Sequence, residues 1–422
     1  MALSADTVWE VRTDGDDGNG GGFVTGASGT DYSQQAAAQK SAADLTMHAT
    51  TDTKCHPGAL GVAAADVGNI IYISAGTDWT PGWYEIKSQD GTDWTLDRSP
   101  SAAGNANLAT FKMGGALATP GGLGKALNDH GVAGMVGWIK SGTYTLASGT
   151  ENTAGGPLHL KASTLLRIEG YETSRGDLGA KPVISAGAIT GISVVKLNGR
   201  FNEKRHLVRN LKVDGNSGAN VNGFDGQDDY GQDLVSKCHA VKCVNGFMGK
   251  KLRAFHCLAS ECTVGFDVQG PFFCRATGCT SHGFSNRNAH GRAVVLCVAD
   301  GNGGAGFYEG AYGTQWIGCI AFANTGNGFD WRYYKMQHAY HCIACNNGGY
   351  GFDVVAVGDD ATLQGCAGRN NTSGNYRAGT LALDFVELSA DPFVDAAGGD
   401  FNLNDTEGGG ALLRAIGLSL EL

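Results

Sequence analysis

Residues 238–284 read CHAVKCVNGFMGKKLRAFHCLASECTVGFDVQGPFFCRATGCTSHGF, and this stretch decides the fold. It contains Gly246-Phe247, Gly265-Phe266 and Gly283-Phe284. Working outward, the same pair recurs at Gly223-Phe224, Gly306-Phe307, Gly328-Phe329 and Gly351-Phe352, in steps of 23, 19, 18, 23, 22 and 23 residues. A cysteine column keeps the same drifting pace: Cys238, Cys257, Cys274, Cys297, Cys319, Cys342 and Cys366. A shorter one runs Cys243, Cys262, Cys279. Two residue types sharing a period near 20 residues, with β-prone runs separated by Gly, Asn and Asp, specify one solenoid coil per repeat. The leucine pattern of leucine-rich repeats is missing, and helical repeats need roughly 33 residues or more. Like residues should therefore stack in ladders about 4.8 Å apart, with Phe, Cys and Val inside and Gly and Asn at the corners. The expected fold class is all-β: a right-handed parallel β-helix with a small N-terminal α+β subdomain and a short capping helix.

Composition agrees. The 422 residues include 67 glycines but only 8 prolines, so the glycine excess reads as tight turns rather than linker or collagen. The net charge is −10 with no basic run, which argues against nucleic acid as a partner. No stretch approaches the ~18 consecutive apolar residues of a membrane span. The N-terminus lacks a charged n-region and an apolar h-region, so a classical export signal is not expected. The twelve cysteines, eleven of them between Cys238 and Cys366, are expected to be reduced and to serve as small buried hydrophobes.

Three regions follow. Residues 1–120 are expected to form a β-rich subdomain, with a helix over about 31–45 and a three-strand meander over about 69–97. Residues 121–390 form the solenoid, with 121–130 as a helix capping its open end. Residues 391–422 read as a terminal coil, cap and tail.

Roughly residues 121–410 resemble the pectin-lyase-like superfamily of right-handed parallel β-helices. The resemblance rests on KSGTYTL (140–146), RNLKVDG (209–215), the Gly-Phe and cysteine columns, and DPFVDAAGGDFNLN (391–404). VWEVRTDGDDGNGGGF (8–23) and the C-terminal run to GGGALLRA look similar to β-helix proteins encoded in bacteriophage and environmental viral genomes. That likeness implies a structural protein of a phage-like virion, a capsid decoration or tailspike-type surface protein. Its expected state is a homotrimer contacting other virion proteins of capsid or tail, without catalysis and located on the virion, with secretion as the alternative location. The alternative is a polysaccharide lyase, a glycoside hydrolase or a glycan-binding adhesin acting on bacterial surface polysaccharide. Fold alone does not decide between them.

Sites are sought among acids and aromatics. Asp225 to Asp233 (DGQDDYGQD) is the densest acidic stretch, and its Gln227-Asp228-Asp229 resembles the paired-aspartate motif of polygalacturonase-type hydrolases. That family's later Gly-His-Gly and Arg-Ile-Lys are missing; Ala289-His290-Gly291-Arg292 is the nearest analogue. Asp228 and Asp229 are thus candidate catalytic acids, with a polar loop or a calcium site as the other readings; no other cofactor is expected. A second column directly follows Phe in Gly-Phe: Asp225, Asp267, Asp330 and Asp353. Stacking would set Asp330 and Asp353 about 4.8 Å apart on the outer surface, whereas Glu309, one position later, would face the other way. Tyr308, Tyr312, Trp316, Trp331 and Tyr333 lie nearby as candidate glycan-binding aromatics. An Asp after Gly-Phe also suits local backbone capping. His338, His341, Cys342 and Cys345 have superficially metal-like spacing, but Cys342 belongs to the inward ladder, so no metal site is expected. Arg275, Arg287, Arg292 and Arg332 are available as basic residues for lyase chemistry, with no motif to single one out.

Overall fold

The structure, a computed structural model, describes residues 3–153, 155–161, 165–198, 206–226, 233–286, 293–310, 314–332, 337–354, 361–378 and 380–415. The chain divides into two compact units, residues 1–189 with 194–212, and residues 190–193 with 213–422.

In the first unit, Thr7–Val11 lies parallel to Val136–Lys140, which lies parallel to Arg167–Tyr171 and that in turn to Leu207–Arg209. Thr7–Val11 thus already lies in the parallel stack, ahead of residue 121, the expected start of the solenoid. Between them is inserted a closed antiparallel sheet of six strands in the order Lys40–Met47, Lys54–His56, Trp94–Leu96, Gly82–Gln89, Ile70–Gly76 and Ala109–Met113. Strand alternation turns Ile71 and Ile73, Tyr84 and Ile86, Trp94 and Leu96, and Phe111 and Met113 into one apolar core.

The expected meander is present within that sheet. The expected helix over 31–45 is not. Asp31 does cap locally, accepting from the Ser33 amide at 2.9 Å, but residues 40–47 form a strand paired with 109–113. The alanine-rich run favours helix, yet Leu45 and Met47 at period 2 fill the sheet core, and burial overrides propensity. The predicted capping helix forms as Pro120–His130. The Thr119 hydroxyl accepts from the Gly122 amide, and Pro120 takes the first helical position. Its Leu123 sits so close to the strand Val136–Lys140 that a Cβ on Gly137 would come within 2.8 Å of it.

In the second unit the parallel β-helix is explicit. Phe224, Phe247, Phe266, Phe284, Phe307, Phe329 and Phe352 stand in register. Their rings stack at 4.7–4.9 Å with tilts of 3–10°. The cysteines stand outside any disulfide and are buried. Their thiols donate to backbone carbonyls, as Cys257 does to Phe255 at 3.3 Å. Each coil turns through two left-handed corners. One holds Lys237, His256, Phe273, Leu296, Gly318, His341 and Gly365, each just before a column cysteine. The other precedes Cys243, Cys262 and Cys279, and then a continuation that the sequence period contains but cysteine counting misses: Asn302, Asn324, Asn347 and Asn371. In this ladder Asn302 Oδ1 accepts from the Cys279 amide, and the side-chain oxygens of Asn324, Asn347 and Asn371 each accept from the backbone amide and Nδ2 of the preceding asparagine, as Asn324 Oδ1 does from Asn302 at 3.1 and 2.8 Å. A buried amide with all its hydrogen bonds made is tolerated in such a core.

The C-terminal segment is not a further coil. Phe393–Asp395 and Asp400–Leu403 form an antiparallel hairpin, followed by a short helix Gly410–Ala415. Phe393, Phe401 and Leu413 lie against an outward apolar ladder of Val298, Ile320, Ile343 and Ala367. Successive coils carry apolar residues on that outer face, and the segment covers them.

Candidate functional site

On the Gly-Phe strands, Phe points inward and the next residue points to the opposite side. The register sets Asp225 beside Met248 and Met248 beside Asp267, then Ser285 beside Tyr308, Tyr308 beside Asp330, and Asp330 beside Asp353. Asp330 and Asp353 are thus direct neighbours one strand spacing apart, as expected. They are not on the open surface, being 5% and 3% exposed.

Each carboxylate is held by an arginine. Asp330 faces Arg332, with Nε 2.6 Å from Oδ1 and Nη2 donating to Oδ2 at 2.8 Å. Asp353 accepts from Arg377 Nε at 2.5 Å and from Asn327 Nδ2 at 2.8 Å. Burial pushes the Asp330 carboxyl above the ordinary aspartate range; Asp353 adds to this, and the Arg332 guanidinium opposes it. The Arg377 guanidinium lies over the Tyr350 ring at 5.4 Å. Tyr308 stacks on His282 at 4.5 Å. The result is a strip of two carboxylates, two guanidinium groups and two tyrosines. Two carboxyls with unequal environments suit acid–base chemistry, and the arginines and aromatics suit hydroxyl-rich ligands.

Other expectations fare differently. Trp316 and Trp331 are buried, 2% and 0% exposed, and stack on each other at 4.7 Å inside the coil. They are core residues and offer no face to a glycan. Glu309, in register with Trp331, is likewise fully buried. Asp225 is buried and accepts from Ser193 Oγ at 2.7 Å. Asp228, Asp229, Tyr312, Tyr333, Arg287 and Arg292 lie outside the described residues. Cys342 points inward, its thiol donating to the Trp316 and Tyr340 carbonyls at 3.4 Å, while His341 occupies the exposed corner. Among the described residues no group of three or more His, Cys, Asp or Glu is placed to hold a metal ion, and no helix is long and apolar enough to cross a membrane. Sequence reading missed Arg377 and Asn327. Their signal was the ladder period itself: Asn327 lies just before Gly328, and Arg377 follows Asp353 by one coil.

No family model matches the chain, and no curated protein matches it. Among solved structures, the catalytic domain of a GH87 alpha-1,3-glucanase in complex with tetrasaccharides is similar at 11% identity, over 81% of this chain and 89% of that one, with a TM-score of 0.36. The A-module of a mannuronan C-5 epimerase from Azotobacter vinelandii is similar at 14% identity over 63% and 76%, with a TM-score of 0.36. A periplasmic alginate epimerase follows at 11% identity over 60% and 76%, with a TM-score of 0.32. The parallel β-helix is established by the strand register of this chain, and these likenesses add nothing about its chemistry.

Proposed function

We propose that the protein binds and cleaves a polysaccharide laid along the outer strip of Tyr308, Asp330, Asp353 and Tyr350. The observation that carries this reading is the in-register pair Asp330 and Asp353. Neighbouring strands set their carboxyls near the separation of about 5–5.5 Å used by retaining glycoside hydrolases. Asp330, whose carboxyl is raised by burial, is suited to give its proton to the glycosidic oxygen as the C–O bond breaks. Asp353, bonded to Arg377 and Asn327, is suited to attack the anomeric carbon, after which water, giving its proton back to Asp330, releases the sugar. The test is incubation with a panel of bacterial capsular and exopolysaccharides, read by new reducing ends. Asp330→Asn and Asp353→Asn should each lower the rate by about a hundred-fold or more. Cleavage unchanged in both variants would sink the assignment.

A second reading is a non-catalytic surface protein of a phage-like virion, assembled as a trimer with other virion proteins. What favours it is that both carboxylates are already engaged by arginines, as a structural ladder would require. It expects a trimer by light scattering, peptides of the chain in purified particles, and no cleavage of any glycan.

A further inference from the structure

The corner preceding the cysteine column carries glycine in two coils, Gly318 and Gly365, with φ of 61° and 59°. In three successive coils the same left-handed corner carries His256, Phe273 and Leu296, with φ of 50°, 54° and 51°. Bulky side chains strain the backbone there, and such strain gathers where side chains are kept for function. The rings of His256 and Phe273 stack at 4.9 Å, and Phe273 remains 38% exposed.

These three residues form one wall of a cavity of about 440 Å³. The C-terminal hairpin supplies the opposite wall, with Asp400 and Asn402. Between them lies Arg275, which donates from Nε and Nη2 to Asp300 at 2.8 and 2.9 Å; Thr277 Oγ1 also donates to Asp300. The hairpin backbone comes down directly on this guanidinium: Gly399 has φ of 87°, and a Cβ there would fall 2.4 Å from Arg275 Nη1.

We propose that this cavity is a second glycan site, one that takes a pyranose ring of an uncharged polysaccharide without cleaving it. The apolar face of the sugar would lie on the His256, Phe273 and Leu296 corner, and its hydroxyls would meet Asp400 and Asn402. The volume lies within the roughly 300–1,000 Å³ of small-molecule sites. Charge selects the class. Arg275 is already neutralised by Asp300, so an anionic sugar would gain no free cation and would face the Asp400 carboxylate. The site sits at a corner of the coil, not on the Gly-Phe strip, and does not depend on any role for Asp330.

The experiment is calorimetric titration of the full chain with neutral tetrasaccharides (cello-, malto-, manno- and galacto-series) and with a tetrasaccharide of a uronic acid. At least one neutral series should bind, and the uronate should bind more weakly. Phe273→Gly should weaken binding by about ten-fold or more while leaving the thermal midpoint equal or higher, since glycine suits the corner. Asp330→Asn should bind as the parent does, so loss of cleavage and loss of this site are read separately. The proposal is overturned if no neutral tetrasaccharide binds, if Phe273→Gly binds unchanged, if the uronate binds best, or if Asp330→Asn abolishes binding.

Discussion

The antiparallel sheet of residues 40–113 and the coil stack of residues 234–388 bury aromatic rings by opposite devices. In the sheet, Trp94 meets Phe111 edge-on, with ring planes 88° apart at 5.5 Å, and its indole nitrogen donates to Asp66 at 2.9 Å. Every contact there is made once. In the stack, Phe307 meets Phe284 and Phe329 face to face, and each of those meets another phenylalanine beyond. Every contact there is repeated. A repeated contact leaves a period in the sequence, whereas a singular one leaves only an apolar residue. A residue in the stack also has the same kind of neighbour on both sides, so its removal damages two interfaces at once.

The comparison can be tested by substitution. Phe307→Ala opens a void between two stacked rings and should cost about 3–5 kcal/mol in urea-induced unfolding. A loss under about 1 kcal/mol would mean that the ladder collapses to heal the gap and does not hold the coils. Asn324→Ala comes next. It takes the acceptor from two donors of Asn302 and the donor from the Ala299 carbonyl and Asn347 Oδ1, a loss of about 2–4 kcal/mol. Asn324→Cys sharpens the point, because this corner already takes cysteine at Cys262 and Cys279; it should recover part of that loss, and a variant no better than alanine would show that the amide bonds alone matter. Trp94→Phe, in the sheet, loses the bond to Asp66 but leaves that carboxylate with Lys40 at 2.7 Å and the Ala63 amide at 2.8 Å. About 1–2 kcal/mol is expected, confined to one set of contacts.

The same contrast explains what was legible. The Gly-Phe and cysteine columns announce the stack because identical side chains face each other at every turn. The acidic pair was legible for the same reason, since Asp330 and Asp353 occupy one position of the period. What was not legible was singular. Residues 31–45 carry the composition of a helix, and only the partner strand 109–113, more than 60 residues away, makes 40–47 a strand. Trp316 and Trp331 were placed outside because tryptophan near carboxylates suggests a sugar platform; the corners of the coil instead turn both rings inward. The hairpin of residues 393–403 resembles a coil in its turn residues, and nothing local reveals that it lies across four older strands. Arg377 and Asn327 keep the period but change the residue type, so a search for repeated residues passes over them and their union with Asp353 appears only when coils are stacked.

The smallest effect concerns Asp330. Its folded carboxyl is held above the ordinary aspartate value, chiefly by burial, with repulsion from Asp353 and partial relief by Arg332. The folded protein therefore binds this proton more tightly than the unfolded chain does. Stability from this group is complete below the unfolded aspartate pKa of about 3.9 and is lost as pH rises through the folded value. Asp330→Asn cannot titrate, so relative to the parent it should gain stability between mildly acidic and neutral pH. The gain will be small, because the ion pair with Arg332, though about half exposed on the arginine side, offsets part of the cost that burial places on the ionised carboxyl. Urea midpoints for both proteins at several pH values from 4 to 7 measure it. If the parent instead gains on the variant as pH rises, the ion pair with Arg332 outweighs burial and Asp330 is an ordinary ionised ligand of its arginine, which would also remove it as a proton donor. If the variant gains while losing cleavage, the residue is held protonated against the stability of the fold, as a general acid must be.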